Sequence, residues 1–305
     1  MADKVAQATR GEDVLEETVD QPSTVTREME NITGGRSREI RLARGPIIAC
    51  QLAILIAFLL AWQYLPQIPA LSSRFKFMDP FFISSPTQVA QKVVDLATGR
   101  NESILIWPYL WNTLQAALVG LVIGICLGAL VGLLLSGSQF AARVMRPFID
   151  ALNATPRVAF IPIIVIIFGP TQLSSIVVSL LVVFFVSFFN AYEGGVTVAP
   201  QLVQNASILG ASRAAVMRRV RLPFVLAWTM AAIPVALAFS LLSVVTAEIL
   251  TGAPGIGRLI TQATSTVDAT LTFAIVIYLA VMGASLVAIA DAIKRRAMHW
   301  WVAGG

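Results

Sequence analysis

The stretch WNTLQAALVGLVIGICLGALVGLLL, Trp111–Leu135, decides the fold. It carries no charged side chain and exceeds the ~20 residues that cross a ~30 Å hydrocarbon core as a helix. Lipid offers no water to backbone N–H and C=O groups, so such a segment must satisfy them internally, as a helix does. Five more apolar segments flank it: Pro46–Leu65, Pro147–Phe168, Leu173–Asn190, Phe224–Ala247 and Leu271–Ala290. The pattern predicts an all-α polytopic membrane protein with six transmembrane helices. The segment Pro147–Phe168 stands apart. Only Val158–Phe168 is continuously apolar, Pro156 and Pro162 interrupt it, and Arg157 lies inside it. A span here needs Phe148–Thr155 as well, and a broken helix at membrane depth is tolerated where it faces protein or a water-filled path.

Composition agrees. The 305 residues are 57% hydrophobic and 13% charged, with a mean hydropathy of +0.78. Soluble domains hold roughly 25% charged residues, so a soluble enzyme, a disordered chain and a disulfide scaffold are excluded. Charge is uneven: residues 1–35 carry a net −5 and residues 36–305 a net +10. The bases sit beside apolar runs, which makes them topology signals and argues against nucleic acid as a partner. With the N-terminus inside, thirteen Lys and Arg residues fall on the inner side, among them Arg36, Arg143, Arg213, Arg221 and Lys294, against five outside. Both termini are therefore expected in the cytoplasm.

The expected organisation follows. Residues 1–44 form a disordered, acidic then basic tail. Residues 45–110 hold the first span and an external segment, residues 111–293 a core with a polar loop at about 200–223, and residues 294–305 a cytoplasmic C-terminus. In the external segment Ser85-Pro86 can start a helix, serine as cap and proline at the first position. Val89, Val93, Leu96 and Ala97 follow at helical spacing and predict a short amphipathic helix on the outer face.

Chemistry-bearing residues are few. Cys50 and Cys126 lie in apolar runs and read as small buried hydrophobes. The single histidine, His299, cannot assemble a metal site, and no cofactor is implied. None of the four lysines follows a glycine, so there is no phosphate-binding loop and no catalytic constellation. Any ATP must be hydrolysed by another chain.

The loop between the fourth and fifth apolar segments reads Gln204-Asn205-Ala206-Ser207-Ile208-Leu209-Gly210-Ala211-Ser212-Arg213, then Val220-Arg221-Leu222-Pro223. A glycine between two short helices permits a tight left-handed turn. Arg213, Arg218, Arg219 and Arg221 would hold such a hairpin at the cytoplasmic surface. This stretch resembles the motif of ABC importer permeases: Glu-Ala-Ala, three residues, Gly, nine residues, Ile, any residue, Leu-Pro. Gly210 takes the glycine place, Val220 the isoleucine, and Leu222-Pro223 the terminal pair, while Gln204 and Asn205 depart from Glu-Ala. The resemblance extends over about residues 80–293 to the permeases for nitrate, sulfonates and taurine. It is carried by Ser85-Pro86, Asn112-Thr113-Leu114, Pro156, Pro162, Phe168-Gly169, Ala247-Glu248, Gly255 and Gly257.

That resemblance implies a type I importer permease of a bacterial inner membrane. It would pair with a second permease copy as a homodimer, bind two cytoplasmic ABC ATPase subunits, and receive its solute from an extracytoplasmic binding protein. The coupling contacts would fall on Gln204, Asn205, Ala206, Ser207, Leu209, Gly210, Ala211, Ser212 and Arg213. The rival reading, a self-sufficient secondary transporter or channel, would call for paired intramembrane acids, inverted repeats or a selectivity sequence.

Four residues are candidates for the pathway. Arg157 lies about 16 Å inward of Phe168 by helix rise. An intramembrane base costs at least about 2.5–3.5 kcal/mol, so it either meets an anionic solute or snorkels to the cytoplasm. Glu248, beside Gly252-Ala253-Pro254-Gly255-Ile256-Gly257, either shapes an outer gate or forms a local cap or ion pair with Arg258. Ser240 and Ser243 either meet the solute or bond neighbouring helices. Gly120, Gly124, Gly128 and Gly132 make one flat helical face, for close packing or for lining the path.

Overall fold

The computed structural model describes residues 44–68, 80–101 and 104–297. The acidic tail before residue 44, His299 and the end of the C-terminal segment lie outside the described residues. The chain divides into two units, residues 1–59 and 60–305. The first contributes most of α1, Arg44–Tyr64, an uninterrupted apolar helix. The elements that follow are α2 (Pro80–Ile83), α3 (Pro86–Thr98), α4 (Trp107–Ser136), α5 (Gln139–Ala154), a 3₁₀ turn (Arg157–Phe160) and α6 (Ile161–Phe168). Then come α7 (Gln172–Val196), α8 (Pro200–Ile208), α9 (Arg213–Val216), a π turn (Met217–Arg221), α10 (Leu222–Thr251), α11 (Ile256–Ser265) and α12 (Ala269–Ala297). Among the described residues the secondary structure is helical throughout.

The glycine face sets the central packing. An added Cβ on Gly120 would meet Ser179 Cβ at 2.5 Å, on Gly124 Val183 Cβ at 2.8 Å, on Gly128 the Phe184 carbonyl at 2.5 Å, and on Gly132 Ala191 Cβ at 2.7 Å. All four partners lie on α7, so α4 and α7 touch along their length with backbone against backbone. Without a hydrophobic drive inside lipid, such close approach is what holds helices together. Ser187 adds an interhelical hydrogen bond to the Ile125 carbonyl at 3.0 Å. The packing reading of this face is the one the structure shows.

Five helical stretches are long and apolar enough to cross a membrane: Pro46–Gln67, Trp107–Ser136, Gln172–Val196, Arg213–Thr251 and Ala269–Arg296. The expected span at Pro147–Phe168 is not one helix. Thr155 is extended (φ −76°, ψ 128°) because the ring of Pro156 disfavours helical backbone before it. Phe148–Thr155 therefore belongs with a separate helix, α5, and its capping residue. Pro162 sits in the first turn of α6, where its missing N–H costs nothing. Arg157–Phe168 remains as a short apolar helical segment.

The amphipathic helix α3 forms as its sequence predicts. Ser85 Oγ accepts from Gln88 N at 3.4 Å, Pro86 opens the helix, and Gly99 ends it at φ +68°. Its apolar face does more than lie on a surface. Val89 and Leu96 are buried with Ile256, Leu259 and Ile275, and the Tyr278 hydroxyl donates to the Val93 carbonyl at 2.7 Å. The helix is thus clamped onto α11 and α12. Cys50 and Cys126 are both exposed on their helices, contrary to the expectation of burial. A thiol is apolar enough to face hydrocarbon, so an apolar run does not tell a packed face from a lipid face.

Candidate functional site

Three arrangements concern function. The first is a cavity of about 540 Å³ at the break between α5 and α6, lined by Arg157, Val182, Phe239, Ser243 and Thr246. Thr155-Pro156 turns the chain and α10 supplies the opposite wall. The Arg157 guanidinium carbon stands 5.8 Å from the centre of the Phe185 ring, within range of a cation–π interaction. Ser243 Oγ donates to the Ser240 carbonyl at 2.9 Å, and Thr246 Oγ1 to the Leu242 carbonyl at 2.7 Å. Both hydroxyls rotate freely enough to turn a proton toward a solute instead. Arg157 and Ser243, singled out separately in the sequence, therefore share one cavity. Thr246 belongs with them by its i+3 spacing from Ser243, whereas nothing in the sequence pointed to Phe185.

Ser240 and Glu248 are elsewhere. Ser240 Oγ donates to the Ala117 carbonyl at 2.8 Å and lies 2.8 Å from Ser179 Oγ, buried where α4, α7 and α10 meet. Glu248 is 0% exposed. Its carboxyl accepts from Thr113 Oγ1, 2.8 and 2.9 Å from the two oxygens, and from Gly257 N at 2.8 Å. Thr113 Oγ1 accepts in turn from Ile256 N at 2.9 Å. Any side chain on Gly255 would strike the Glu248 carboxyl. The carboxyl thus ties α4, α10 and the start of α11 into one clasp. The ion pair with Arg258 does not form; that side chain is exposed. Thr113 was missed as a partner, since a lone threonine in an apolar run does not announce which helix it will face.

The third arrangement is the polar hairpin. Gly210 has φ +81°, its N–H donates to the Ser207 carbonyl and the Ala211 N–H to the Ala206 carbonyl, each at 3.0 Å. That pair of bonds is a Schellman closure, which needs a left-handed residue at the glycine. Ser212 caps α9 by accepting from Ala215 N at 3.2 Å. A Cβ on Gly210 would meet nothing within 4 Å, so conformation alone demands glycine here. Ile208 and Leu209 are 82% and 86% exposed at the tip. Gln204, Asn205 and Arg213 are exposed beside them. The hairpin is thus a stiff turn that presents apolar side chains outward.

Residues 120–299 match the family described as the binding-protein-dependent transport system inner membrane component. The chain is 31% identical to the riboflavin transport system permease protein RibX of Chloroflexus aurantiacus, over 72% of this chain and 81% of that one. It is 24% identical to the taurine transport system permease protein TauC of Escherichia coli, over 75% and 83% of the two chains. It is 26% identical to the nitrate import permease protein NrtB of Leptolyngbya laminosa, over 69% and 77%. In fold it is similar to an inward-facing structure of the MetNI methionine ABC transporter. That likeness has a TM-score of 0.52 and 20% identity, over 61% of this chain and 93% of that one. The family match covers more than half of the sequence, and the chain belongs to this family as a multi-pass inner-membrane permease of the ABC importer type.

Proposed function

We propose that this permease forms the path for a small anionic solute, and that the cavity at Arg157 receives it. The observation that carries the reading is Arg157 at the wall of a cavity formed by the end of α5, the turn after it, α7 and α10, with Ser243 and Thr246 beside it. In a low-dielectric path a fixed positive charge offsets part of the desolvation of an anion. The nitrate relative is named for an anion that such a charge suits, and the solute in the name of the taurine relative carries a sulfonate group.

The power stroke comes from separate ABC ATPase subunits docked on the hairpin Gln204–Arg213, with Ile208 and Leu209 as its apolar knob. Gln204 and Asn205 take part from the first helix of the hairpin, and Ala206, Ser207, Gly210, Ala211 and Ser212 hold its shape. The permease pairs with a second copy across a two-fold axis, takes its solute from an extracytoplasmic binding protein, and keeps both termini in the cytoplasm. Glu248 and Ser240 serve as structural ties. The permease, a nucleotide-binding subunit and a solute-binding protein, reconstituted in vesicles, test the reading. Uptake that requires ATP and all three components is expected. Uptake by the permease alone would overturn it in favour of a self-sufficient transporter.

A further inference from the structure

Two cavities flank the hairpin at the end of the bundle that the charge distribution assigns to the cytoplasm. One, of about 460 Å³, is lined by Arg143 and Arg221 with Gln204, Tyr192 and Ser136. The other, of about 610 Å³, is lined by Arg213 and Arg221 with Ser138 and Ser207. Both cavities share Arg221 and Val203, and among the described residues no carboxylate lines either one. The π turn Met217–Arg221 delivers Arg221 to the point where they adjoin, and such turns recur at functional sites. Arg143 comes from α5 and Arg213 from α9, so three elements bring arginines to the walls of the two adjoining cavities.

We infer that this region binds the phosphate group of an anionic phospholipid. Guanidinium forks match phosphate oxygens two at a time, and the Ser138 hydroxyl at the wall of the second cavity adds a polar group. The remaining walls are apolar, from Leu134, Val203, Val216 and Met217, as a glycerol and acyl segment requires. Basic pockets between spans on the cytoplasmic side hold acidic headgroups for this reason. A lipid in place would tie α5, the end of α7 and the hairpin together. The inference does not depend on the transported solute.

The full chain, purified in a neutral detergent, is titrated with fluorescent phosphatidylglycerol in mixed micelles, with phosphatidylcholine as the comparison lipid. Saturable binding of phosphatidylglycerol alone is expected. Arg221→Gln and Arg143→Gln should each weaken it about fivefold, the scale of one basic residue near an anionic surface. Arg221→Lys should retain most of it, which separates lost charge from lost folding, and Arg258→Gln, on α11 away from both cavities, should change nothing. Millimolar inorganic phosphate should not displace the lipid. Complete displacement would keep the phosphate chemistry and overturn the lipid as its source. Equal binding of both lipids, or unchanged binding in an Arg143→Gln, Arg221→Gln double variant that stays monodisperse, would overturn the site.

Discussion

Thr113 and Glu248 are 135 positions apart in the chain, and their side chains meet at 2.8 Å in a buried clasp. One hydroxyl satisfies the carboxyl and accepts the Ile256 N–H at the same time. The clasp fixes the glycine-rich turn after α10 against α4, at the end of the bundle remote from the hairpin.

Thr113→Val removes the donor to Glu248 and the acceptor for Ile256 while conserving shape. Leaving buried groups unpaired costs about 1–3 kcal/mol. The detergent-solubilised protein should unfold at a lower temperature. Glu248→Gln, which keeps an acceptor oxygen, should be milder than Glu248→Ala. Equal melting of Thr113→Val and wild type would show that the clasp carries no stability.

The glycine seam gives a second expectation. Gly128→Ala places a methyl 2.5 Å from the Phe184 carbonyl, and overpacking of this kind costs about 1–3 kcal/mol. Gly283→Ala, whose nearest atom stands at 3.7 Å on a side chain, should be harmless. Thermal unfolding of the two variants side by side checks this, and similar losses in both would contradict a close α4–α7 contact.

Helix content, the cap at Ser85 and the left-handed Gly210 were legible in the sequence because each rests on local chemistry: apolar length, a hydroxyl before proline, a glycine between two short helices. The break at Thr155-Pro156 was half legible. The prolines marked it, but an apolar count through Phe148–Thr155 could not tell a kinked span from a separate amphipathic helix. The pairing of Thr113 with Glu248, the burial of Ser240 and the Phe185 ring near Arg157 were not legible. They depend on helix rotation, which periodicity leaves open when a helix is apolar on every side. For the same reason Cys126 could not be placed on an outward face.

At Gly210, valine would have to adopt a left-handed backbone, at about 1–2 kcal/mol and more for a β-branched chain. Gly210→Val should insert normally yet lose ATP-driven uptake and hold the ATPase subunit weakly in co-purification. Gly210→Asn, which tolerates this conformation, should retain most of both. Full uptake by the valine variant would detach the hairpin from coupling.

The most direct test of the central claim is solute uptake by Arg157 variants in vesicles that contain the whole transporter. Lysine keeps the charge and loses the planar fork, and methionine loses both. Uptake of an anionic solute should fall in the order arginine, lysine, methionine, while the amount of ATPase recovered with each variant stays constant. Equal uptake by all three, or a solute that proves uncharged or cationic, would contradict an anion path at Arg157.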